Sequence, residues 1–138
     1  MNHNNVLEKI VIIDYGSQFT QLIARKVREL GVYSEIINSN QIRRLKKNKS
    51  IKGIILSGGP LTITNKNSSS LDNRILGLNL PILGICYGHQ ILAKKFGGRV
   101  KVSKTREFGK AFVKSILKSP ITKNFFKHRN NQVWMSHQ

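Results

Sequence analysis

The sequence predicts an α/β fold: an open, mostly parallel sheet with helices on both faces. Three observations lead there. Four short, largely β-branched apolar runs, within residues 9–14, 32–37, 53–56 and 81–85, read as strands of such a sheet. Segments of helical spacing alternate with them, and that alternation produces parallel strands joined by right-handed crossovers. Three of the runs enter glycine-bearing turns, which suit the passage from a strand into a helix.

The first run, Lys9-Ile10-Val11-Ile12-Ile13-Asp14, ends in an acid and leads into Tyr15-Gly16-Ser17. Phe19, Leu22, Ile23, Val27 and Leu30 then recur at helical spacing, and Gly31 stands where a helix C-cap belongs. A second strand is expected over 32–37, followed by a short basic surface segment over 41–49. The third, 53–56, runs into Ser57-Gly58-Gly59-Pro60. Residues 61–70 are mainly Thr, Asn, Lys and Ser and predict a loop with little to bury. Leu71, Ile75 and Leu78 predict a helix. A fourth buried strand, 81–85, meets Cys86 and a helix carrying Ile91, Leu92 and Phe96, stopped by Gly97-Gly98. Over 99–116 the pattern changes: Val100, Val102, Phe108, Ala111, Val113 and Ile116 suggest shorter pieces in an antiparallel flap. Val133 to Ser136 predicts one more strand, with Trp134 and Met135 as its core residues.

A chain of 138 residues fits a single domain, and a domain of this size buries roughly two-thirds of its unfolded surface. One cysteine excludes a disulfide scaffold and a cysteine-rich zinc module, and the four histidines are too scattered for a finger, so no metal site is expected. No apolar stretch approaches the ~20 residues that span a bilayer. The N-terminal residues lack a signal-peptide pattern, so a cytoplasmic protein is expected. The formal charge is +18, from 24 Lys plus Arg against 6 Asp plus Glu. However, Ile, Lys and Asn make up 46 of the 138 residues, so the charge reflects a general compositional drift rather than a built patch. Lys outnumbers Arg 16 to 8, whereas planar phosphate and base recognition relies on Arg. Nucleic acid is therefore not the expected partner.

In an open α/β sheet, ligands bind beyond the carboxyl ends of the strands. Of the three glycine turns there, Gly84-Ile85-Cys86-Tyr87-Gly88 carries the sharpest signal. A nucleophile between two glycines, at the junction of strand and helix, is the nucleophile-elbow pattern. The elbow strains the central residue and aims its side chain out of the turn, while the flanking glycines let strand and helix approach. The helix N-terminus favours the thiolate of Cys86. A thiolate attacking a carbonyl needs two donors for the oxyanion. Elbow geometry supplies the Tyr87 amide, and the Gly58-Gly59 loop, open for lack of Cβ atoms, supplies the second. A lone cysteine is otherwise a small buried hydrophobe, and Gly-Gly-Pro otherwise a plain turn.

Five blocks carry a resemblance. They are Val11-Ile-Ile-Asp-Tyr-Gly-Ser-Gln18, Ile55-Leu-Ser-Gly-Gly-Pro60, Gly84-Ile-Cys-Tyr-Gly-His-Gln90, Arg106-Glu-Phe-Gly109 and Val133-Trp-Met-Ser-His137. In this order, across the whole chain, they resemble the class I glutamine amidotransferase domain of GMP synthetases. The resemblance implies a flavodoxin-like sheet and a glutaminase in which Cys86 forms a glutamyl thioester and releases ammonia. It further implies an oxyanion hole from the Gly59 and Tyr87 amides, and glutamine held by Gly58, Gln90, Ser136 and His137. The ammonia would pass to an ATP-pyrophosphatase synthetase domain that aminates XMP to GMP. ATP and magnesium would belong to that domain, with no cofactor in this chain, and the full-length enzyme would be a homodimer.

Some of the family's pattern is not in these residues. The general base and its orienting acid, a His-x-Glu, lie beyond the Trp-Met-Ser-His block, and Gln138 stands where Gly then Asp is expected. No Ser-Gly-Gly-x-Asp-Ser phosphate loop occurs. Residues 1–138 therefore read as a partial, C-terminally truncated amidotransferase domain, expected to be inactive alone. His89 lies three residues past Cys86 and is assigned no role. Asp14 and Glu107 are the acids expected nearest the cleft. A truncated sheet would leave an open edge and an uncovered apolar face. The rival readings are an amidotransferase of another pathway, and a non-catalytic remnant or basic binding module.

Overall fold

Burial on both faces of a strand demands apolar side chains in both registers, and β1 (Lys9–Asp14) has them: Val11, Ile12 and Ile13 are completely buried. The computed structural model describes residues 7–60, 70–101, 107–117, 119–124, 126, 128 and 130–137. The chain divides into two units, Met1–Lys101 and Val102–Gln138. In the first, β1 is central in a four-stranded parallel sheet of order β2-β1-β3-β4, with β2 at Tyr33–Asn38, β3 at Ile51–Leu56 and β4 at Ile82–Gly84.

The helices are α1 (Thr20–Glu29), α2 (Asn73–Gly77) and α3 (Tyr87–Lys95), with a 3-10 turn at Ser39–Arg44. From β1 to β2 the chain steps one way across the sheet, and from β3 to β4 it steps the other. Crossovers of one hand therefore set α1 and α2 on opposite faces. The core divides accordingly. Val11, Ile13, Ile54 and Leu56 pack with Ile42, Leu71, Ile75, Leu78 and Ile91. On the other face Ile12 lies in register with Ile36 and Ile55, and Ser34, also buried, donates from its hydroxyl to the Ala24 carbonyl of α1 at 2.9 Å.

Two expectations about packing are corrected here. The face of α1 turned to the sheet is Thr20, Ile23, Ala24 and Val27; Phe19, Leu22 and Leu30 are exposed. The buried stripe keeps the i, i+3, i+4, i+7 spacing, but two of its four positions are filled by small residues that bring the helix close to the strands. In addition, β4 is only three residues long and Leu83 is exposed, because β4 pairs only with β3 among the described residues.

The second unit is built on an antiparallel pair, β5 (Glu107–Lys114) and β6 (Asn130–His137), in register from Glu107↔His137 to Lys114↔Asn130. The expected flap is thus one continuous strand over 107–114, and the last expected strand is its partner. Phe108, Phe112 and Trp134 are all exposed, and Trp134 lies opposite Lys110. Trp134 is therefore a residue of the outward face rather than of a core: two strands have only two faces, and Gly109, Ala111, Val113, Val133 and Met135 occupy the half-buried one. Residues 61–69 of the loop expected over 61–70, Val102 of the flap, Arg106 and Gln138 lie outside the described residues.

Candidate active site

The parallel strands of the first unit deliver three loops to their carboxyl ends, after β1, β3 and β4. The third passes straight into α3. Cys86 is the residue before α3, with φ +52° and ψ −117°, a conformation that residues other than glycine rarely adopt. The turn is held by main-chain bonds: Ile85 N–H donates to Leu56 O (2.9 Å), Gly88 N–H reaches Ser57 O and Ile85 O (both 3.0 Å), and Gln90 N–H donates to Cys86 O (3.1 Å).

The flanking glycines are demanded by distance. A Cβ on Gly84 would lie 2.7 Å from the Gly88 carbonyl oxygen and from the His89 backbone, and one on Gly88 would collide with Leu56 O. No side-chain rearrangement relieves a backbone contact of that kind. Cys86 itself is exposed, as the elbow geometry requires.

The loop after β3 faces the elbow. A Cβ on Gly58 would touch Cys86 Cβ and Ser17 Oγ, both at 3.3 Å, so the Gly58 backbone lies directly against the cysteine. Gly59 rests on the Tyr15 carbonyl, where a Cβ would come within 2.6 Å. The Gly59 amide makes no hydrogen bond among the described residues. Gly16, Ser17, Gln18, Phe19, Gly58, Gly59, Pro60 and Cys86 together line a cleft of about 340 Å³. The first and second loops are tied beneath it. Asp14 Oδ1 accepts from the Gly16 amide and the Thr20 hydroxyl, both at 2.8 Å, and Thr20 Oγ1 lies 3.2 Å from Ser57 Oγ. Ser57 Oγ in turn accepts from the Tyr15 amide (3.2 Å) and donates to Gly58 O (3.0 Å).

Tyr15 and Tyr87 meet edge to face behind the loops, with centroids 5.6 Å apart and planes at 76°. The Tyr15 hydroxyl is buried and has no hydrogen-bond partner among the described residues. Burial, then Tyr87, then Asp72 push its pKa from 10.0 up to about 12.

The structure thus brings Gly58, Gly59, Cys86 and Tyr87 into one neighbourhood, with half-buried Gln90 one turn along α3. Ser136 and His137 belong to the other unit, on β6 opposite Phe108 and Glu107, and Glu107 stands there too. His89 is exposed, while the Asp14 carboxylate is engaged in shaping its own turn. Among the described residues no group of three His, Cys, Asp or Glu side chains is placed to hold a metal ion, and no helix is long and apolar enough to cross a membrane. Sequence reasoning missed Thr20 and Ser57. Their only signal was polarity at positions otherwise expected to be apolar or merely part of a turn.

Known proteins agree with this architecture. The sequence model of the glutamine amidotransferase class-I family matches residues 11–138. The chain is 46% identical over 139 residues to the glutamine-hydrolyzing GMP synthase of Ruthia magnifica subsp. Calyptogena magnifica, covering 99% of this chain and 27% of that protein. It is 46% identical over 132 residues to the enzyme of the same name from Petrotoga mobilis, covering 96% and 25%. It therefore spans about a quarter of the length of these relatives. The crystal structure of a protein described as a GMP synthase subunit, from Thermoplasma acidophilum, superposes with a TM-score of 0.71 at 32% identity, covering 95% of this chain and 65% of that one. With the family match running through both units and including the elbow and the glycine loop that faces it, the chain belongs to the class-I glutamine amidotransferase family.

Proposed function

We propose that this chain is the glutaminase part of a glutamine-hydrolysing GMP synthase. The Cys86 thiolate adds to the side-chain carbonyl carbon of glutamine, and the displaced electron pair settles on oxygen, where the amides of Gly59 and Tyr87 receive it. Collapse breaks the carbon–nitrogen bond. The nitrogen takes up one proton, equivalent to the one the thiol gave up on ionising, and leaves as ammonia, while a glutamyl thioester remains on Cys86. Water then releases glutamate and restores the thiol. Gly58, Gln90, Ser136 and His137 hold the glutamine.

The ammonia serves a synthetase domain of the ATP-pyrophosphatase type, which aminates XMP to GMP in purine biosynthesis. ATP and magnesium act there, and no residue of this chain is assigned to them. The working enzyme is a cytoplasmic homodimer. Within residues 1–138 the parts assigned are the nucleophile, the oxyanion donors and the glutamine contacts.

The observation that carries the reading is the backbone of Cys86, held at φ +52° directly against the Gly58 backbone. Such strain persists only where the surroundings enforce it, and it collects at functional sites. The test is alkylation by diazo-oxo-norleucine, a glutamine analogue with a ketone in place of the amide. Intact-mass analysis should show one adduct, on Cys86, whose formation is slowed by glutamine and not by an equal concentration of sodium chloride. Labelling that ignores glutamine would remove the glutaminase reading.

A further inference from the structure

The Gly58–Gly59 peptide has two faces to offer the cleft, its carbonyl oxygen or its N–H, and only one of them stabilises an anion. A trans peptide points these groups in opposite directions, so whatever captures the carbonyl decides where the amide goes. The Ser57 hydroxyl captures it, donating to Gly58 O at 3.0 Å from a side chain that is wholly buried. The hydroxyl is itself oriented. Its oxygen accepts the Tyr15 N–H at 3.2 Å and sits 3.2 Å from the Thr20 hydroxyl, which is held by the Asp14 carboxylate at 2.8 Å. Two oxygens lie within reach of the Ser57 proton, Thr20 Oγ1 at 3.2 Å and Gly58 O at 3.0 Å, and the carbonyl is the nearer. The Gly59 amide, bonded to nothing among the described residues, is turned away from that bond.

We infer that Ser57 is a positioning residue for the oxyanion hole: by fixing the Gly58 carbonyl it presents the Gly59 N–H to the oxygen of the substrate bound at Cys86. The inference rests on the glutaminase reading and adds to it a residue outside the glycine loop's own backbone. Without the hydroxyl, the two glycines have no side chain to resist rotation of the peptide between them. The opposite orientation would aim a carbonyl lone pair at the developing negative charge.

Two electrophiles separate this role from a structural one. Diazo-oxo-norleucine carries a carbonyl at the position of the glutamine amide, and the thiolate displaces dinitrogen from its protonated diazo carbon to leave a thioether. Iodoacetamide reports only the access and ionisation of Cys86, the one thiol in the chain. Ser57→Ala should slow the reaction with diazo-oxo-norleucine by about tenfold or more, part of the ~100-fold that loss of a whole oxyanion donor costs. Its iodoacetamide rate should stay within about twofold of the parent, and Ser57→Thr, which keeps the hydroxyl, should restore the first rate. Equal slowing with both reagents, or no slowing with either while the parent reacts, overturns the role of Ser57 and leaves the glutaminase reading standing. A parent chain that never reacts with diazo-oxo-norleucine removes both. If Ser57→Ala does not fold, a structure of the parent's adduct decides. The Gly59 amide facing the ketone oxygen, with Ser57 still on Gly58 O, supports the inference; the Gly58 carbonyl facing that oxygen overturns it.

Discussion

Cys86 holds a backbone conformation that costs about 1–3 kcal/mol for a residue with a Cβ. Glycine at the same place escapes most of that cost. Cys86→Gly should therefore be more stable than Cys86→Ala by about 1 kcal/mol in urea unfolding, since alanine keeps the positive-φ strain that glycine escapes. Tyr15 makes a second residue-scale case. Its phenol is buried without a partner among the described residues, so Tyr15→Phe should match or exceed the parent in stability at pH 7. Its folded pKa, about 12, lies above the unfolded 10.0, so the folded state keeps a proton that the unfolded state gives up. The linked stability is complete below pH 10 and is lost as pH rises towards 12. Melting curves at pH 9 and 11 should show a smaller alkaline loss for Tyr15→Phe than for the parent.

At the scale of elements, α1 shows how a helix can be recognised while its contact face is misassigned. Periodicity sees Phe19, Leu22, Ile23, Val27 and Leu30; of these Ile23 and Val27 lie on the sheet-facing stripe with Thr20 and Ala24, and the other three are exposed. Thr20 is chosen because its hydroxyl joins the Asp14 carboxylate to Ser57 and so pins the first loop to the second. Thr20→Val keeps shape and removes both contacts; it should cost about 1–3 kcal/mol, the range for orphaning buried polar partners. Leu22→Ser, on the exposed side, should stay within about 0.5 kcal/mol. Urea midpoints of the two variants, measured together, test the assignment of the helix face. The exposed pairs of Arg25 and Lys26 with Glu29 add little to this balance.

For the whole molecule, a charge of +18 on 138 residues repels itself in the folded state more than in the expanded one. Screening at 0.1 M salt shortens the range of that repulsion to about 10 Å. The melting temperature should therefore rise between 10 mM and 300 mM sodium chloride. A flat or falling curve would mean that the few ion pairs, such as Lys9 with Glu35, outweigh the excess of like charge. The two units also differ in what sustains them: Met1–Lys101 has a core on both faces of its sheet, whereas the β5–β6 pair exposes Phe108, Phe112 and Trp134 on one of its two faces.

Much of this was legible in the order of residues. The parallel sheet followed from β-branched runs alternating with helical spacing, and the elbow from Gly84, Cys86 and Gly88, because these signals are local and each needs only a few neighbouring positions. Other features depend on groups that meet from distant parts of the chain. Tertiary structure alone decided that β4 is a half-exposed edge among the described residues, that Trp134 lies outward, and that Asp14, Thr20 and Ser57 meet. A strand's burial depends on whether something covers it, and a hydroxyl's role on which backbone group it reaches. Neither is written in the spacing of the residues themselves.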